Sequence, residues 1–169
     1  PDVTVAGPAV VSFQGVTIAG TLTQTGGTFR PSGGFVNVIQ GDAFLLGGTI
    51  ADFSGSFDFD GDVTIAGTTA THPADLTCAG DWTADENFMP TDARITFDGA
   101  AAGTIMSSIA EGTCHFNELV VASGTRSAQA HVTARSIDID PGAVLDTTDR
   151  TATVAVGPLT VDGGLTVGA

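Results

Sequence analysis

The chain contains no lysine and no tyrosine, and it has only two cysteines, two methionines and one tryptophan. Its five basic residues are all arginines (Arg30, Arg94, Arg126, Arg135 and Arg150); against them stand 19 acidic residues, for a formal net charge of −14. A surface so poor in positive charge repels nucleic-acid phosphates and anionic lipid headgroups, which sets both aside as partners. The same surface attracts divalent cations and suits salty water, where screening relieves self-repulsion. No apolar run approaches the ~18–20 residues of a membrane span, so membrane insertion is not expected. Helical periodicity is missing too: no stretch places apolar residues at i, i+3, i+4 and i+7 over three turns without a glycine or proline, and residues 103–111 come closest. Neither methionine nor a charged-then-apolar leader opens the chain at Pro1, so a mature product or an excised piece is expected.

The two cysteines, Cys78 and Cys114, match no metal motif but permit one disulfide. On coils of ~18 residues they would lie two turns, or ~9.6 Å, apart, which is too far to bridge; longer or uneven turns would let them meet. A disulfide and two buried free thiols both remain open.

What the chain does have is repetition. A short Val/Leu-Thr-apolar strand ended by glycine occurs at Val3–Gly7, Val16–Gly20, Val63–Gly67, Leu76–Gly80, Ile95–Gly99 and Leu159–Gly163, and Leu165–Gly168 begins another. Apolar and small polar residues alternate at period two nearly throughout, as in half-buried strands. The 23 glycines fall mostly between the strands, where turns need them. With 42% hydrophobic residues the chain has enough apolar material for a packed core. These features predict one repetitive all-β domain over 1–169, or a stretch of a longer array. The preferred architecture is a parallel β-solenoid of roughly 20-residue coils, because stacked coils call for like residues at like positions. Gly26-Gly27-Thr28-Phe29 and Gly47-Gly48-Thr49-Ile50 stand about one such coil apart. The identical Val-Thr-Ile-Ala-Gly copies at Val16 and Val63 fit less well, since their spacing demands coils of unequal length. An antiparallel β-sandwich is the alternative.

The second half carries a recognisable order: Leu76-Thr-Cys-Ala-Gly-Asp-Trp82, then Phe88-Met-Pro90, Ile95-Thr-Phe-Asp-Gly99 and Cys114-His-Phe-Asn-Glu-Leu-Val-Val121. It closes with Ser136 to Asp146 and Leu159 to Val167. From Leu76 onward this order resembles the repeats of bacterial surface and secreted β-helix proteins of the filamentous-haemagglutinin and autotransporter-adhesin type, with a looser echo in Val16–Gly67. The resemblance implies a non-enzymatic extracellular or cell-surface structural or adhesive protein (a stalk, spacer or filament-forming subunit) with a glycan or host surface as partner. The acid excess and the two cysteines depart from the usual repeat. Alternatives are a carbohydrate- or calcium-binding β-sandwich module, a pilin-like polymerising subunit, and a polysaccharide-degrading β-helix enzyme.

Local clusters offer few sites. Asp58, Asp60 and Asp62 alternate along Asp-Phe-Asp-Gly-Asp and could supply hard oxygen ligands for calcium, with Asp52 nearby. The spacing fails as an EF-hand, because the glycine comes early and position twelve is Thr69. A solvated turn is the simpler reading, so no cofactor is required. Asp138 and Asp140 share the outer face of a strand whose Ile137 and Ile139 point inward. Paired carboxylates serve glycoside hydrolysis, but pectin-enzyme signatures such as Asp-Asp and Gly-His-Gly are lacking, and no catalytic residue is assigned. His72, His115 and His131 lack metal-ligand spacing. Thr23-Gln-Thr25, Thr69-Ala-Thr71 and Thr151-Ala-Thr153 fit an ice-binding tripeptide, yet at unequal intervals. Trp82 could stack on a sugar, though a lone large aromatic more often packs inside. End-to-end self-association is expected, since Val3-Thr4-Val5 and Leu165-Thr166-Val167 are uncapped strands without lysine to guard an edge.

Overall fold

A computed structural model describes residues 1–51, 55–71 and 75–167. Alternating side chains and frequent glycines give short strands, most of them three to five residues long, and every pairing among the described residues is parallel. Parallel pairing of successive passes is the signature of a β-solenoid, and it rules out the antiparallel sandwich.

Each coil passes through three positions. Sheet A stacks nine strands, from Val3–Val5 through Leu22–Gln24, Ala43–Leu45, Val63–Ile65, Trp82–Ala84, Gly103–Ser107, Thr125–Ala128 and Val144–Thr147 to Gly164–Val167. Partners along it lie 19, 21, 20, 19, 23, 23, 19 and 20 residues apart. Sheet B holds four strands, Val10–Phe13, Thr28–Pro31, Gly48–Ala51 and Thr68–Thr71; sheet C runs the length of the molecule on the third side. Sheet B stops where residues 85–93 form a loop with Phe88 and Pro90 buried. The Asp85 carboxylate organises that loop, accepting the backbone N–H groups of Asn87, Phe88 and Gly67. Beyond it, the nine-residue strands Thr113–Val121 and His131–Ile139 bend through two positions at once, pairing along both halves.

Inward residues make one continuous core. Phe29 and Phe57 stack at 4.3 Å with Phe13 edge-on to Phe29 at 4.8 Å, and Trp82 sits within 6.2 Å of Phe88, Phe97 and Phe116. Trp82 is 1% exposed, so it packs inside and cannot stack on a sugar.

The recurring phrase has a local meaning. Val16–Gly20 contributes Thr17–Ile18 to sheet C, whereas the identical Val63–Gly67 contributes Val63–Ile65 to sheet A. The phrase therefore encodes one strand with its corner, not one coil, and the awkward spacing of the two copies reflects a change of sheet. Thr28 and Phe29, by contrast, pair directly with Thr49 and Ile50, so that glycine pair does mark a coil.

Candidate functional site

The corner between sheets C and A carries the most ordered polar arrangement. Here the chain reads Gly20-Thr21, Gly41-Asp42, Gly61-Asp62 and Gly80-Asp81 on successive coils. A Cβ on Gly61 would approach the Gly41 carbonyl oxygen and Asp42 Oδ1 of the coil before to 2.7 Å, so the corner closes only on glycine. The following carboxylate bridges coils: Asp2 Oδ1 accepts from Thr21 N (2.8 Å), Asp42 from Asp62 N (3.1 Å), Asp62 from Asp81 N (2.8 Å) and Asp81 from Thr104 N (2.7 Å). Asp42, Asp62 and Asp81 thus form an axial column of charges at the strand spacing of ~4.8 Å.

This column separates the three aspartates expected to act together. Asp62 belongs to it, Asp60 lies exposed at the corner, and Asp58 points outward from Ser56–Phe59 in sheet C. Burial, and then the charges of Asp98 and Asp60, raise the Asp58 carboxyl above its usual range. Among the described residues no group of three or more His, Cys, Asp or Glu side chains is placed to hold a metal ion. Asp52 and His72 lie outside the described residues.

The glycine column ends at an arginine. Gly80 is followed in the stack by Gly103, whose strand partner is Arg126. Arg126 is 0% exposed. Its guanidinium donates to the carbonyls of Ala79 (2.9 Å), Gly80 (3.0 Å) and Gly99 (3.3 Å) and lies 5.4 Å from the centre of the Phe97 ring. One side chain thereby ties three coils together, in the segment where coils lengthen to 23 residues. Neither its position nor its burial is visible in the sequence, where it is one arginine of five.

Cys78 and Cys114 are buried free thiols. They occupy different positions in their coils: Cys78 pairs with Phe97 in sheet C, while Cys114 lies on the first half of its long strand, beside Val132. The disulfide that the sequence permits is not formed. Burial pushes both thiols up to about 12, which keeps them protonated and poor nucleophiles; the nearby Arg126 charge only partly offsets this for Cys78.

Asp138 faces outward between Val120 and Thr160, flanked by inward Ile137 and Ile139. His115 pairs with Thr133, and His131 Nδ1 lies 2.6 Å from Thr151 Oγ1. The three threonine tripeptides are scattered: Thr23 belongs to sheet A, Thr69 to sheet B, and Thr153 lies beyond the loop that interrupts sheet B. An outward threonine column does run up sheet A through Thr4, Thr23, Thr64 and Thr83, but Phe44 breaks it. No family model, curated protein or solved structure matches the chain.

Proposed function

We propose that the chain is a non-enzymatic extracellular structural or adhesive protein, a rod segment that joins copies of itself end to end. The exposed inward positions of Leu159–Val161 and Gly164–Val167 carry this reading. Leu159 and Val161 occupy the inward columns of Ile137 and Ile139, and Val167 that of Thr147. The inner three are 2%, 0% and 0% exposed, the outer three 50%, 40% and 65%. The coil of Leu159–Val167 is therefore built like the ones inside, with apolar inward positions and a strand edge, and among the described residues nothing covers it.

At the other end Val3–Val5 pairs on one side only. Two such ends are mutually complementary parallel edges, and a head-to-tail contact between them repeats without closing, which is the geometry of a filament. Burying the exposed apolar surface favours the join at ~25 cal/mol per Å². The net charge of −14 opposes it, so screening by salt or calcium promotes assembly. The likeness of the second half to surface β-helix adhesins supports an extracellular setting with a glycan or host surface as partner.

The test is light scattering with electron microscopy of the chain across salt and calcium concentrations. Linear assemblies that lengthen with salt are expected, and Val161→Asp should abolish them while leaving the β-sheet circular-dichroism signal intact. A monodisperse monomer under every condition would overturn the proposal.

A further inference from the structure

Sheet B differs from the other two sides of the rod in its charge. No acidic residue occurs between Asp2 and Asp42, in a chain that has 19 of them. Inward Phe13, Phe29 and Ile50 alternate along sheet B with outward Val10, Ser12, Thr28, Arg30, Thr49 and Thr69. None of its outward residues among those described is a carboxylate. Val10, Thr28, Thr49 and Thr69 are successive partners, so one β-branched column crosses all four strands. The Thr49 and Thr69 hydroxyls lie 3.1 Å apart, and that of Thr69 donates to Gly48 O at 3.3 Å. Each oxygen keeps a lone pair for a further donor. The carboxylates of neighbouring coils stand elsewhere, Asp58 outward on sheet C and Asp42 and Asp62 at its corner with sheet A.

An aromatic ring marks the rim where sheet B turns into sheet C. A Cβ on Gly15 would come 3.5 Å from Phe35 Cδ1, and one on Gly33 2.9 Å from Cδ2 and Cε2. The ring therefore rests on two bare turns of adjacent coils, both at positive φ, which only glycine leaves clear for it. Phe35 is nonetheless 52% exposed, and Val36 and Val16 beside it are exposed too.

The size of this face selects its occupant. Three strand spacings of ~4.8 Å and four residues of ~3.3 Å give roughly 190 Å². A stable protein interface covers ~800 Å² on each partner, far more than the face and its rim present. A polyanion is repelled by the net charge of −14, and a polycation is drawn to the carboxylates on sheet C and its corner instead. An uncharged chain bearing hydroxyls fits all three conditions. It exchanges hydrogen bonds with the threonine column, and the apolar face of one of its rings stacks on Phe35.

We propose that the outer face of sheet B, with Phe35 at its rim, binds a neutral polysaccharide. This rests on the adhesive reading given above and is independent of the end-to-end join.

The experiment is an NMR titration of the ¹⁵N-labelled full chain with cellohexaose, mannohexaose and chitohexaose, and with a proline-rich decapeptide as the rival ligand for an exposed aromatic ring. It is run on the parent and on Val161→Asp, so that sugar binding and assembly are read separately. At least one of the hexasaccharides is expected to shift the amides of Thr28, Phe35 and Thr49 saturably in both proteins. Phe35→Ala, at an exposed position, should keep the circular-dichroism signal and weaken that sugar about tenfold. Silence of these amides toward all three sugars would overturn the proposal, as would shifts that survive Phe35→Ala, that are confined to the parent, or that the decapeptide produces equally well. A chain that assembles yet binds none of the sugars sinks this proposal alone and leaves the end-to-end join standing.

Discussion

Replacing Arg126 by methionine should destabilise the protein by about 2–4 kcal/mol. The replacement removes the guanidinium from three carbonyls, those of Ala79, Gly80 and Gly99. A buried acceptor left without its donor costs ~1–3 kcal/mol, so three give a gross loss of ~3–9 kcal/mol. Against this, the variant no longer buries a charge whose desolvation costs several kcal/mol, which offsets part of the loss. Methionine keeps most of the apolar volume, so the cavity contribution is small. Gly103 provides the control, because a methyl group there would overlap Arg126 Nη1. Gly103→Ala alone should therefore cost as much as Arg126→Met, by forcing the guanidinium off its carbonyls. In the double variant the methyl enters space that Nη1 has vacated, and the combined loss should fall short of the sum by at least ~1.5 kcal/mol, within the range seen for residues in contact. Urea unfolding of the four proteins measures this cycle. Strict additivity, or an Arg126→Met variant as stable as the parent, would refute the account of Arg126 as a tie between coils.

Because the Asp58 carboxyl is raised in the folded protein, the folded state binds more protons than the unfolded one between the ordinary 3.8 and that raised value. Its contribution to stability therefore falls as pH rises through this window, and Asp58→Asn should remove that fall, so that in urea unfolding the variant gains stability relative to the parent as pH rises through it. Cys78 and Cys114 should resist a thiol reagent in the native protein and react, two per chain, once urea unfolds it; fast labelling of either in the native state would contradict their burial. Two charges in water interact with energy RT at ~7 Å, further than the ~4.8 Å between successive aspartates of the corner column, so calcium should raise the melting midpoint modestly. Asp62→Asn should shrink that gain, whereas complete unfolding in chelator would point to a structural metal instead.

The strand content and the coil length could be read from the chain because both rest on local physics. Alternation at period two states which residues face inward, and paired glycines such as Gly26-Gly27 and Gly47-Gly48 state where the chain turns. The sheet on which each phrase lands could not be read, since every corner asks for the same strand-then-glycine solution. Asp58, Asp60 and Asp62 are close in the chain but spread around a corner. The true neighbours of Asp62 are Asp42 and Asp81, 20 and 19 residues away. Arg126 was invisible for the same reason: its acceptors lie 27 to 47 residues upstream.

The glycine-aspartate corner also makes the length of the rod a free variable. Asp42 and Asp62 begin equivalent strands, each behind a glycine that fits only against the corner before it. A chain cut after one such aspartate and resumed after the next would meet the same corner, the same N–H to accept and the same inward column. Whole coils can thus be lost or copied between these points without a new junction having to be invented. A change inside a coil is different: it is felt by the coil stacked on it, some twenty residues away, before it is felt by its neighbours in sequence.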